Sequence, residues 1–157
     1  MGVRYLVANR QGDRLHKLPA AGRVPLIWAK AIGQDGRFDF ARGMQFRELS
    51  WVDVPEDAPY VARSACVAVQ RTSARGQKRR IAAAEIPASF IEPYGGIVAE
   101  NHVILLLPIR PDAAPASALA EVLNLPQVSE QLDRMCGSAS IPARLLEQLP
   151  LPAVPRR

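Results

Sequence analysis

The sequence predicts an α+β fold, in which a twisted, mainly antiparallel β-sheet or partial barrel is followed by short C-terminal helices. Three observations carry this expectation. Short apolar runs broken by Gly and Pro fill the chain as far as Pro108. Two of these runs flank a polar, Gly-bearing loop, the mark of a hairpin. Helical periodicity begins only beyond Pro115. Strands followed by helices, rather than alternating with them, argue α+β over a parallel α/β sheet. A chain of 157 residues suits one domain, 1–157, long enough to bury a core.

Taken in order, residues 2–7 (GVRYLV) read as a first strand and residues 10–19 as a charged turn region. Residues 24–29 (VPLIWA) read as a second strand, with Pro25 near its start or on an edge because it cannot donate to a ladder. Residues 33–43 (GQDGRFDFARG) form a turn-rich loop carrying Arg37, Phe38, Phe40 and Arg42. Residues 46–54 read as a further strand, ended by Pro55 and Pro59, and Trp28 and Trp51 as core. Residues 86–91 are a short connection, Tyr94-Gly95-Gly96 a turn, and residues 97–108 (IVAENHVILLLP) one strand or two. Ser117 is placed to cap a helix through Asn124 with Leu119, Val122 and Leu123 on one face. Pro126 suits the first position of a second helix, which reaches about Cys136 and buries Val128, Leu132 and Met135 before Gly137 ends it. A third helix spans 143–148, and Leu149-Pro150-Leu151-Pro152 is an extended packing tail.

The central stretch is residues 65–84. An apolar run (ACVAVQ) meets Thr72-Ser73-Ala74-Arg75-Gly76-Gln77 and returns through Lys78-Arg79-Arg80 into Ile81. Between Ala58 and Ala84 stand six cations, Arg63, Arg71, Arg75, Lys78, Arg79 and Arg80, without one Asp or Glu. Such a cluster either faces water at mutual cost or faces a polyanion, and DNA is the expected one. The net charge of +5 is compatible with that partner.

Other chemistries find no constellation. His16 and His102 are the only histidines and share no metal-ligand spacing with Cys66 and Cys136. The sequence holds no nucleophile elbow, no phosphate-binding Gly-rich loop followed by Lys, and no His-Glu-x-x-His. Asp57-Ala58-Pro59-Tyr60 differs by one residue from the catalytic loop of amino-methyltransferases, and the preceding chain is too short for the βα units that hold S-adenosylmethionine. A Pro-rich turn is the better reading. No apolar run approaches the ~20 residues of a membrane span, and the N-terminus lacks a signal peptide's apolar region. The two distant cysteines suit reduced thiols, so a cytoplasmic protein without membrane contact is expected.

Four stretches, in order, resemble one family. They are residues 24–29 (VPLIWA), residues 69–81 (VQRTSARGQKRRI), residues 95–102 (GGIVAENH), and residues 136–142 (CGSASIP) followed by 145–152 (LLEQLPLP). Together they resemble the C-terminal target-recognition (specificity) region of adenine-N6 DNA methyltransferases of type II restriction–modification systems. The ending is also similar to type I restriction specificity subunits. Gly76 stands where that family's basic loop usually has an acidic residue, and Cys136 where it has a small polar or branched one.

The resemblance implies a target-recognition-domain-like fold without a catalytic site, metal or cofactor of its own. Such a domain reads double-stranded DNA while an adenine-N6 methyltransferase domain flips and methylates the base with S-adenosylmethionine. That catalytic domain is expected N-terminally on a longer chain or on a separate partner. Arg71 and Arg75 are the expected base readers, since Arg grips guanine through two acceptors. Lys78 and Arg79 are assigned to phosphates, and Thr72, Ser73 and Gln77 to either. Arg80 joins the DNA-contacting set, although Arg79 and Arg80 point to opposite faces if both lie on a strand. Asn101 suits an adenine edge and His102 a phosphate, or both satisfy backbone groups where their strand meets the sheet. Arg37 and Arg42, interleaved with aromatics, suit a nucleic-acid backbone. The alternative is a protein–protein assembly module of a restriction–modification complex that grips DNA non-specifically.

Overall fold

The computed structural model describes the backbone of residues 3–6 and the whole of residues 15–73 and 77–154. It is α+β, with two four-stranded sheets and a layer of C-terminal helices. The first sheet has the order β1 (Val3–Leu6), β8 (Val103–Pro108), β5 (Cys66–Gln70), β6 (Ala83–Ile86), all antiparallel. The second has the order β2 (Leu15–His16), β4 (Trp51–Asp53), β3 (Arg23–Ile27), β7 (Val98–Ala99), with β3 and β7 parallel.

The first sheet is covered on both faces, which is why β5 and β8 are unbroken apolar runs rather than alternating ones. Cys66, Ala68, Ala84, Ile86, Val103 and Leu105 face Ile27, Ile32, Ile91 and Ile97. Val67, Val69, Ala83, Ile104 and Leu106 face the helices α3 (Ala116–Leu123), α4 (Pro126–Met135) and α5 (Ala143–Gln148), through Leu119, Leu123, Val128, Leu132 and Leu146. A third cluster, Val24, Leu26, Trp28, Val52, Val61 and Val98, fills the second sheet. Both tryptophans are buried as expected.

Residues 97–108 divide into two strands of different sheets. A tight turn separates them, in which the Val103 N–H donates to the Glu100 carbonyl at 2.9 Å. Pro25 lies inside β3, yet the local geometry of an edge holds. Leu26 N–H points toward β4, donating to Ser50 at 2.9 Å, so the Pro25 nitrogen faces the other side, where pairing with β7 begins only at Leu26.

Several boundaries differ from the sequence expectation. The strand expected over 46–54 shrinks to Trp51–Asp53, because α1 (Phe40–Phe46) occupies the preceding residues, and β6 runs on through Ile86 into the one-turn α2 (Ala88–Ile91). Asp39 starts α1 by accepting from the Arg42 N–H at 3.2 Å, a side-chain N-cap. Ser117 lies inside α3, whose cap position is Pro115. Met135 is 42% exposed rather than buried, since α4 has turned away from the core by its last residue. The aromatics of the 33–43 loop point inward. Phe38 and Phe40 stack on Phe90 at centroid distances of 5.0 and 5.2 Å, while Arg37 and Arg42 of that loop remain exposed beside Asp35 and Asp39.

Among the described residues no helix is long and apolar enough to cross a membrane. Cys66 and Cys136 are free thiols, the first buried and the second half-buried.

Candidate nucleic-acid interface

Beyond Gln70 the chain leaves the first sheet and is clamped by three distant segments. The Arg71 N–H donates to the His102 carbonyl at 2.7 Å, and the Arg71 carbonyl accepts from the Ile141 N–H at 2.7 Å. Thr72 pairs with Ser140, and the Ser73 N–H donates to Ala139 at 3.0 Å. From the opposite side, Gln70 Nε2 donates to the carbonyls of Ala29 and Ile32, at 2.9 and 2.8 Å. The basic loop is thus fixed at its departure point.

Its return limb is fixed by two arginine side chains. Arg79 donates to the carbonyls of Asn124, at 3.0 Å, and Gln34, joining the end of α3 to the 33–38 loop. Arg80, only 11% exposed, donates to the Ser138 carbonyl and Ser73 hydroxyl and lies 3.2 Å from the Asp133 carboxylate. Neither arginine lies on a strand, since β6 begins at Ala83, so the alternation of a strand does not apply to them. Both guanidiniums are engaged with the protein's own oxygens.

The remaining candidates differ in freedom. Arg71 is half-buried, with one guanidinium hydrogen bond, to the Asn101 carbonyl at 3.3 Å. Thr72 and Lys78 are exposed, and among the described residues the Lys78 ammonium meets no carboxylate. Gln77 turns inward, its amide donating to Gln70 Oε1 at 3.2 Å, and Ser73 is half-buried against Ala139. Asn101 and His102 are both exposed on the β7–β8 turn. His102 Nδ1 lies 2.7 Å from the carboxylate of Glu100, a buried acid that also accepts from the His102 N–H at 3.0 Å. Arg37 is exposed and loosely paired with Asp35 at 4.0 Å, whereas Arg42 Nε donates to the Lys30 carbonyl at 2.8 Å. Arg75 lies outside the described residues.

A groove of about 310 Å³ runs between the return limb and α4, lined by Ser73, Lys78, Arg80, Ser129, Glu130 and Asp133. The acid-free stretch of sequence is therefore not acid-free in space: α4 brings two carboxylates beside it. Beyond Arg80, which binds the Ser138 carbonyl, Cys136 Sγ lies 3.5 Å from the Ser138 hydroxyl. That hydrogen bond, helped by the Arg80 charge, holds the Cys136 thiol below the ordinary range.

Three residues that sequence reasoning did not single out complete the scaffold. Asn124 binds both backbone groups of Ala83, Ser129 Oγ accepts from the Ile81 N–H at 3.2 Å, and Glu100 orients His102. Asn124 reads in sequence only as a helix end and Ser129 carries no signal there, and only the packing of α3 and α4 on the first sheet gives them these partners. No group of three or more His, Cys, Asp or Glu side chains capable of holding a metal occurs among the described residues.

Compared with protein-family models, with curated proteins and with solved structures, the chain matches none.

Proposed function

We propose that this chain reads double-stranded DNA as the specificity part of an adenine-N6 DNA methyltransferase of a restriction–modification system, and that its two-sheet fold is target-recognition-domain-like. The observation that supports this reading is a convergence. The four sequence stretches that resemble the family bond directly to one another: Glu100 N–H to the Ile27 carbonyl, Gln70 to Ala29, Arg71 to His102, and Ile141 to Arg71. Exposed donors stand on the described limbs of the basic loop, as Thr72 and Lys78, and on the β7–β8 turn that binds Arg71, as Asn101 and His102.

In this reading Arg79 and Arg80 set the position of the loop. Arg71, with guanidinium donors to spare, and Asn101 contact base edges, and Lys78 contacts phosphate. The adenine is methylated by a separate catalytic domain that holds S-adenosylmethionine. The test is selection from a random double-stranded DNA pool at moderate salt. An enriched motif containing adenine is expected. Arg71→Ala relaxes preference at one position, by ~1–3 kcal/mol of discrimination. Lys78→Ala weakens every sequence alike and lowers the salt slope. Equal losses on selected and random DNA for Arg71→Ala would remove it from base reading.

One observation favours the second reading, a protein–protein assembly module. Glu130 and Asp133 stand beside the basic groove, where carboxylates repel phosphate but suit a protein surface of mixed charge. Its sign would be binding to a methyltransferase catalytic domain that survives Lys78→Ala and Arg71→Ala, with no motif selected from the DNA pool.

A further inference from the structure

A second face of the molecule carries apolar groups and cations that the proposed DNA reading does not use. At the end of α1, Phe46 is 54% exposed and nearby Leu49 40% exposed. Between them and β2 lies an open cleft of about 460 Å³, floored by Trp28 and Leu15 and rimmed by Phe46, Arg47 and Leu49. The Trp28 ring is held in place because Nε1 donates to the Leu49 carbonyl at 3.2 Å and the Ser50 hydroxyl at 3.1 Å. The Arg47 guanidinium sits 5.8 Å from the Trp28 ring centroid and 5.5 Å from that of Phe46. The Lys30 ammonium lies 5.7 Å from the Phe46 centroid.

The charge balance of this face is one-sided. Lys17 and Glu48 pair with each other across the rim. Lys30 and Arg47 meet no carboxylate among the described residues, so the apolar cleft is bordered by two uncompensated cations already stacked on its aromatic wall. Cations held over rings keep the outer side of the charge available to an anion. An exposed apolar cleft with a polar rim is the anatomy of an interaction site, and its core supplies affinity while rim charges select the partner.

We infer that this cleft docks a short acidic segment of a partner protein, with one apolar or aromatic side chain seated over Trp28 between Phe46 and Leu49 and carboxylates meeting Lys30 and Arg47. A nucleic-acid backbone fits less well. A sugar–phosphate chain would leave the apolar seat formed by Leu15, Trp28, Phe46 and Leu49 unfilled, whereas a peptide side chain fills it.

The experiment is selection of a phage-displayed library of random twelve-residue peptides on the full chain, without nucleic acid. The leading peptide is then synthesised with a fluorescein label and titrated by anisotropy. Enriched peptides are expected to carry net negative charge around a Phe, Trp, Leu, Ile or Met. Lys30→Glu/Arg47→Glu is expected to weaken the labelled peptide at least tenfold and Phe46→Ala about fivefold. Lys78→Ala is expected to leave it unchanged, which separates this site from the basic loop. The milder Lys30→Gln/Arg47→Gln pair, expected to weaken binding several-fold, serves if charge reversal lowers stability. Absence of enrichment, enriched peptides without acidic residues, or affinity indifferent to both double substitutions would overturn the inference. So would a loss of duplex DNA affinity on charge reversal with no peptide selected, which would give the face to DNA. A concentration-dependent dimer removed by Phe46→Ala, with no peptide selected, would give it to a second copy of the chain.

Discussion

The side-chain amide of Asn124 meets both backbone groups of Ala83, Nδ2 donating to the carbonyl at 2.7 Å and Oδ1 accepting from the N–H at 3.0 Å. Ala83 begins β6, the outer strand of the first sheet, so the amide at the end of α3 stands in for a missing neighbour strand and closes an edge. Asn124→Leu leaves a buried N–H and a buried C=O unpaired. The expected loss is about 2–4 kcal/mol in urea unfolding. Asn124→Asp keeps the acceptor and loses the donor, and should fall between Asn124→Leu and the parent.

Adjacent arginines and lysine in the basic loop should separate by role. Arg80→Ala removes the contacts to Asp133, Ser138 and Ser73, and should cost about 1–3 kcal/mol of stability. Lys78→Ala, at an exposed site, should stay within about 0.5 kcal/mol of the parent while changing the salt slope of DNA binding. Thermal melts and binding titrations on the same two variants check the division.

The sequence made part of this legible and hid the rest for identifiable reasons. The hairpin, Pro126 opening a helix and the helix over 143–148 follow from local patterns, apolar runs and proline placement, whereas the sequence left 97–108 as one strand or two and the structure divides it. The helix over Phe40–Phe46 was missed because Phe40, Gly43 and Met44 make a weak stripe, and Gly43 lowers helix propensity. It forms because Asp39 caps it and Gly43 packs closely on Ala31. The basic cluster was visible as a run. That Arg79 and Arg80 would be used up on carbonyls 45 and 58 residues away was not, since such partners exist only once α3, α4 and the 138–141 segment have docked.

The two cysteines should titrate in opposite directions. Burial, with the Glu85 charge second, pushes the Cys66 thiol up to about 12. In the unfolded chain it ionises near ~8.5, so the folded state binds more protons above that point. Its contribution to stability is complete below ~8.5 and falls as pH climbs toward about 12. Cys66→Ala should make the alkaline decline of stability shallower. Cys136, by contrast, should alkylate in the native protein with a pH profile that inflects below the ordinary thiol range. Ser138→Ala should move that inflection upward.

Gly96 is buried at φ +150°, and a Cβ there would lie 2.3 Å from Val61 Cγ1. Gly96→Ala should destabilise by roughly 1–3 kcal/mol through backbone strain, with the clash added. Val61→Ala removes the Cγ1 clash but not the strain or the 3.2 Å approach to the Ala62 carbonyl. In chemical denaturation the two substitutions together should therefore cost less than the sum of their separate costs.

The clamp on the basic loop has a consequence for the order in which the molecule can assemble. Ser73 meets Ala139 across 66 residues of chain, and Arg71 is closed from one side by Ile141. The hairpin strands can pair as soon as residue 86 is available, but Arg71, Ser73 and Arg80 gain their partners in the 138–141 segment only once that segment has docked. The candidate reading surface is therefore among the last features to acquire its geometry, long after the strands that present it. Non-local closures of this kind are slow steps in folding. In the DNA-reading proposal, a lesion that loosens α4 or the 138–141 segment would free the limbs of the loop while the β5–β6 pairing stays in place.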